Sequence, residues 1–86
     1  MNDTKIAIIG LGYVGLPLAA EFSKATKTFG FDINSLRVNQ LIDGYDKTLE
    51  FTKQELTNLP LLNLTSNIND IKECNIFIIT VPTPID

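Results

Sequence analysis

The sequence changes periodicity across one glycine-rich turn. Lys5-Ile6-Ala7-Ile8-Ile9 is a short apolar, β-branched run without polar alternation, the pattern of a strand buried on both faces of a parallel sheet. From Tyr13 to about Ala25 the spacing is helical, with Val14, Leu18 and Phe22 four apart and Ala19 and Ala25 beside them. Between the two lies Gly10-Leu11-Gly12-Tyr13-Val14-Gly15, a G-x-G-x-x-G turn. That pattern is weak alone and gains its meaning from following a buried strand and opening a helix. Pro17 falls early in the helix, where some loosening of the first turn is expected.

The rest of the chain repeats the alternation. Thr28 to Asp32 has strand-type residues ending in an acid, and Asn34 can cap a helix carrying Val38, Leu41 and Ile42 on one face, with Gly44 as its stop. Thr52-Lys53-Gln54-Glu55 matches a capping box opening a short helix with Leu56 and Leu59, ended by Pro60. Leu64 to Ser66 reads as a third short strand, and Asn67 to Glu73 as a turn or two of helix. Asn75 to Val81 reads as another two-sided apolar strand, closed by Pro82-Thr83-Pro84. Strands and helices in this order predict an α/β domain, a Rossmann-like parallel sheet with helices on both faces. With 86 residues there is room for one small domain and none for a complete two-domain enzyme; read together with the glycine turn, the sheet is expected to be incomplete, the first half of a dinucleotide-binding domain.

Charge and composition narrow the partners. A net charge of −3 with 7 Lys and Arg against 10 Asp and Glu argues against a nucleic-acid surface or an anionic membrane surface. Bound phosphate must therefore be held mainly by backbone. With no histidine and a single cysteine, the chain offers neither a metal cluster nor an internal disulfide. No stretch reads as a signal peptide or membrane span, so a reducing, cytoplasmic setting is expected.

The glycine turn supplies the phosphate chemistry. Gly10 permits the tight turn, Gly12 lets the backbone approach a pyrophosphate, and Gly15 lets the helix pack closely on the strand. The backbone amides of Tyr13 and Val14 face the same phosphates, aided by the positive end of the helix dipole. Asp32 lies 22 positions after Gly10, close to the spacing of about 20 for the acid that accepts a hydrogen bond from an adenosine ribose hydroxyl. A carboxylate there selects NAD over NADP. Arg37 complicates that choice, because a nearby arginine can accommodate a 2′-phosphate; with Asp32 in place it is assigned to the adenosine side of an NAD site. The bland readings are glycines that are only conformational, Asp32 as a cap and Arg37 as a solvated helix residue. Thr80 to Pro84 ends the last strand and should line the same crevice, with Thr83 offering a hydroxyl, or else form only a rigid strand exit. Cys74 reads as a packing residue. Asp43, Asp46, Glu50 and Glu55 read as scattered charges without paired-carboxylate logic.

With these residues in view, the chain resembles the N-terminal NAD-binding part of the UDP-glucose/GDP-mannose dehydrogenase family. The likeness rests on GLGYVGLPLAAEF (Gly10 to Phe22), FDIN (Phe31 to Asn34) with Arg37 following, and TVPTPID (Thr80 to Asp86). DKTLE (Asp46 to Glu50) and the final PTPID look most like the branch acting on UDP-N-acetylhexosamines, including capsular-polysaccharide dehydrogenases. The resemblance implies an NAD-dependent four-electron oxidation of a nucleotide sugar's primary alcohol to a uronic acid, through an enzyme-bound thiohemiacetal and thioester. It also implies pyrophosphate contacts at Gly10, Gly12, Tyr13, Val14 and Gly15, ribose contacts at Asp32 and Arg37, and a cofactor contact at Thr83.

The family's nucleophilic cysteine, its lysine and its substrate domains lie further along the polypeptide, and Cys74 does not match the catalytic position. No catalytic residue is expected within residues 1–86, which read as the N-terminal portion of the NAD-binding domain. The expected partners are NAD and, in a full-length homo-oligomeric enzyme, a UDP-sugar. Two other readings stay open: a free-standing nucleotide-binding module, and another NAD-linked dehydrogenase of hydroxyacid or hydroxyacyl-CoA type, which the VPTP segment disfavours.

Overall fold

A computed structural model of the chain describes residues 4–80. Four parallel strands form one sheet: β1 (Ile6–Ile9), β2 (Thr28–Phe31), β3 (Leu62–Thr65) and β4 (Ile76–Ile79), in the order β3-β2-β1-β4. The chain steps outward from β1 to β3 and then crosses back to place β4 on the other side of β1. That reversal, between β1 and β4, is the switch point at which open α/β sheets hold ligands beyond the carboxyl ends of their strands.

The register separates the two faces. Ile6 and Ile8 pair with Thr28 and Gly30 of β2 and with Ile76 and Ile78 of β4. On this face α1 (Gly15–Ser23) and α2 (Ser35–Ile42) bury Leu16, Ala19, Val38 and Leu41 against Ile6, Ile8 and Leu11. The opposite face carries Ala7, Phe29 and Phe31 and is covered by a short 3-10 turn, Ile68–Ile71, with Ile71 and Cys74 packed beneath it. The sheet thus has helical segments on both faces, the second cover much smaller than the first.

Local chemistry sets the element ends. Asn34 caps α2 by accepting the Arg37 N–H. Gly44, at φ 90°, closes it with Gly44 N–H donating to Leu41 and Tyr45 N–H donating to Gln40, the paired bonds of a Schellman stop. Thr52 and Glu55 form the expected reciprocal capping box of α3 (Lys53–Thr57).

Several expectations change. Pro17 does not loosen α1: with Val14 as N-cap and Gly15 first, its missing N–H lies in the turn whose amides have no intrahelical acceptor. Ile42 is exposed, and its place on the buried face of α2 is taken by Arg37. The third strand begins at Leu62, two residues before the expected start, because Thr28 N–H pairs with Leu61. β4 is apolar but not buried on both faces. Among the described residues it has only β1 beside it, and Phe77 and Ile79 are 49% and 67% exposed.

Candidate cofactor site at the glycine turn

β1 runs into the glycine turn at Gly10, held at φ 101°. A side chain there would strike the carbonyl of Thr80, and one at Gly15 would strike the carbonyl of Gly10. Both glycines are required by the chain's own packing. Gly12 is different: a Cβ added to it meets nothing within 4 Å. No internal contact demands glycine there, and the space a methyl group would fill is open on the outer side of the turn.

The same turn carries unpaired donors. Val14 is an N-cap without a side-chain hydrogen bond, and no acceptor among the described residues meets the N–H groups of Gly12, Tyr13, Val14 and Gly15. Gly12, Tyr13 and Val14 are exposed, Tyr13 at 70%. Together with the helix dipole, four unclaimed amides fit an anionic diphosphate, and an acidic chain needs no lysine to hold it. The Tyr13 and Val14 side chains point no polar group into the core and pack nothing there.

Asp32, just past the carboxyl end of β2, is half-buried and held by backbone. Its Oδ2 accepts the Leu11 N–H at 2.9 Å and its Oδ1 accepts the Asn34 N–H at 2.9 Å. A carboxylate has about four acceptor positions, so two bonds fix its plane and leave capacity for a diol. Thr80, at the end of β4, completes the turn from the other side. Its N–H donates to Ile9 at 2.8 Å and its hydroxyl donates to the Gly10 carbonyl at 2.9 Å. The exit of β4 and the glycine turn are therefore in direct contact. Thr83 lies outside the described residues.

Arg37 is not a solvated helix residue. It is 4% exposed, its Nε donates to the Leu11 carbonyl at 2.8 Å, and its guanidinium pairs with Asp46 Oδ1 at 2.7 Å. The remaining Nη2 is buried without a partner among the described residues. Asp46, set aside in the sequence as a scattered charge, is 2% exposed. It also accepts the Thr48 hydroxyl and the backbone N–H groups of Thr48, Glu50 and Phe51. Burial by itself raises its pKa, but the Thr48 hydroxyl, Arg37 and the loop amides outweigh this and bring it down to about 2. The helical period of α2 carried the signal, since Arg37 stands on the same face as Val38 and Leu41.

Cys74 takes no part in this site. It is buried against Ala7, Phe31 and Ile71, and burial raises its thiol pKa, which keeps it protonated and inert. A shallow depression of about 320 Å³ beside it is lined by Lys5, Lys27 and Phe29. It opens at the amino ends of β1 and β2, away from the glycine turn. Among the described residues no His, Cys, Asp or Glu group could hold a metal ion, and no helix is long and apolar enough to cross a membrane.

The UDP-glucose/GDP-mannose dehydrogenase family, NAD binding domain, matches residues 4–86. The chain belongs to this family. It is 56% identical over 86 residues to the UDP-N-acetyl-D-glucosamine 6-dehydrogenase of Salmonella typhi, covering all of this chain and 20% of that protein. It is 49% identical to protein CapL of Staphylococcus aureus, over 98% of this chain and 20% of CapL. Among solved structures it matches the UDP-D-ManNAc dehydrogenase of Pyrococcus horikoshii with a TM-score of 0.84 and 34% identity, over 96% of this chain and 21% of that one. The chain thus spans about one fifth of the length of these relatives. What it carries is the family's NAD-binding part, with the glycine turn and Thr80 at the switch point of its sheet and Asp32 at the end of the neighbouring strand β2.

Proposed function

We propose that the chain holds the adenosine diphosphate half of NAD for a nucleotide-sugar 6-dehydrogenase, which oxidises the primary alcohol of a UDP-N-acetylhexosamine to the uronate for surface polysaccharide synthesis. The observation that carries the reading is Gly12, a glycine with no internal reason to be one, set among four unclaimed amides. In this reading the amides of Gly12, Tyr13, Val14 and Gly15 hold the pyrophosphate, and Gly10 shapes their turn. Asp32 accepts from the adenosine ribose, Arg37 flanks that position from the Leu11 carbonyl, and Thr83 meets the cofactor beside the glycine turn. When bound, NAD supplies the hydride acceptor.

The catalytic cysteine and the substrate domains belong, in this reading, to polypeptide outside these 86 residues, consistent with the fifth of each relative that the chain spans. The chain alone binds cofactor and does not turn over sugar. The apolar, exposed side of β4 supports burial against further polypeptide, in what this reading takes to be a homo-oligomeric enzyme. Dependence on NAD and a lone unpaired cysteine suit the cytoplasm, and a net charge of −3 suits neither a nucleic-acid nor an anionic-membrane partner.

Titration calorimetry of the folded chain with NAD, ADP-ribose and NADP tests the reading. NAD and ADP-ribose are expected to bind with similar affinity and NADP at least tenfold more weakly. A folded chain that ignores ADP-ribose, or that prefers NADP, removes it.

A further inference from the structure

We propose that Asp46 is a specificity-determining residue of this site: it holds Arg37 down on the carbonyl of Leu11 and so keeps an arginine beside the ribose from serving as a 2′-phosphate counter-ion. The inference rests on the NAD reading above and adds to it a residue that contacts no ligand.

An arginine near the adenosine ribose is the usual means by which this fold accepts NADP. Here Arg37 sits next to that position, since Asp32 and Arg37 bind the N–H and the C=O of the same residue, Leu11. Asp32 repels a phosphate, but an unpaired guanidinium close by would offset that repulsion. What removes the offset is Asp46, whose carboxylate takes Arg37 Nη1 at 2.7 Å in a fully buried pair. Charges paired away from solvent neutralise one another strongly, because little water screens them.

Asp46 is the anchor of the pair and Arg37 the group that is held. Apart from Arg37, the carboxylate receives four hydrogen bonds from its own loop, at 2.6 Å from the Thr48 hydroxyl and at 3.0, 3.0 and 3.1 Å from the N–H groups of Thr48, Glu50 and Phe51. Its position would persist without the arginine. The loop also accepts backbone strain to close around it: Leu49 stands at φ 60° with its side chain exposed, while its N–H donates to the Asp46 carbonyl at 2.9 Å. With Nε and Nη1 both committed, Nη2 alone is without a partner among the described residues, and it is buried, so the guanidinium presents no free donor to a 2′-phosphate.

The test compares dissociation constants for NAD and NADP, measured by calorimetry on the full chain at one salt concentration. Wild type, Asp46→Asn, and Asp46→Asn combined with Arg37→Gln are compared. Asp46→Asn is expected to narrow the gap between NAD and NADP by about tenfold, and adding Arg37→Gln is expected to restore it. A merely structural Asp46 would weaken both ligands together and leave their ratio alone, so a folded Asp46→Asn chain with the wild-type ratio overturns the proposal. So does a gain in NADP binding that survives Arg37→Gln. Should Asp46→Asn fail to fold, Arg37→Gln alone decides: both ligands should weaken by the same factor, and a selective loss of NADP would mean that Arg37 already serves a phosphate with Asp46 in place. Wild-type protein that binds neither ligand is recognised at the first titration, and it removes the NAD reading together with this one.

Discussion

The carboxylate of Asp32 and the backbone N–H of Leu11 meet at 2.9 Å across 21 positions of sequence, so the acid expected at the ribose also braces the glycine turn expected at the pyrophosphate. Leu11 adds a third link, because its side chain is fully buried in the core between β1 and the helices. The turn's amides, the Asp32 carboxylate and the core are thereby fixed to one residue, so the proposed site is set before any ligand arrives. Preorganisation of this kind lowers the ordering cost that binding would otherwise meet.

Replacing Asp32 should therefore harm binding in two ways. Asp32→Asn keeps the shape but loses the charge-assisted bond to Leu11 N–H and an acceptor for the ribose. Hydrogen bonds to charged groups are worth about 1.5–3 kcal/mol, so NAD affinity should fall by roughly ten- to a hundredfold. NADP should fall less, because the repulsion of its 2′-phosphate disappears. Parallel titrations read both numbers, and equal losses for the two cofactors would take Asp32 away from the ribose.

Gly12 and Gly15 should separate binding from folding. Gly15→Ala drives a Cβ into the Gly10 carbonyl, overpacking that costs about 1–3 kcal/mol or more, so its thermal midpoint should drop by several degrees for each kcal/mol lost. Gly12→Ala meets no atom of the chain and should melt close to wild type while losing NAD affinity. Calorimetry and thermal denaturation on the same samples check the pair. A Gly12→Ala chain that binds NAD as wild type does would leave the open cradle without an occupant.

The strands, the helix caps and the switch-point turn were legible because they depend on local chemistry: apolar runs, Asn34, Gly44, the Thr52–Glu55 box. The Arg37–Asp46 pair was not, although the two are close in sequence. Polar residues are normally solvated, and only the sheet beneath α2 together with the loop folding back over it decides that this arginine turns inward. The exposure of β4 escaped for a related reason. An apolar strand reads as buried whatever its neighbours, and whether both neighbours exist is a property of topology rather than of the strand.

The cap of α3, which makes no hydrogen bond to the glycine turn, provides a control. Thr52 accepts the Glu55 N–H at 3.1 Å, and Glu55 accepts the Thr52 N–H at 2.8 Å. Thr52→Ala should cost about 1 kcal/mol, visible as a lower thermal midpoint, with NAD affinity unchanged in the folded population. A drop in affinity at temperatures where the variant is fully folded would tie α3 to the binding site.

The last prediction concerns acid. Asp46 carries a pKa of about 2, below its ordinary 3.8, so the folded chain holds its carboxylate ionised more tightly than the unfolded chain does. A depressed carboxylate contributes stability that is complete above the unfolded value and is lost as pH falls toward the folded one. The window here runs from about pH 4 down to pH 2, and the shift corresponds to roughly 2 kcal/mol. Denaturant titrations at pH 6, 4, 3 and 2 should show wild type losing that increment across the window. Asp46→Asn has no such proton to take up, so it should be less stable at pH 6 yet show a shallower decline, and the two curves should converge near pH 2. Parallel declines would mean that the acid sensitivity resides in other carboxylates and that the Arg37–Asp46 pair contributes little to holding the loop.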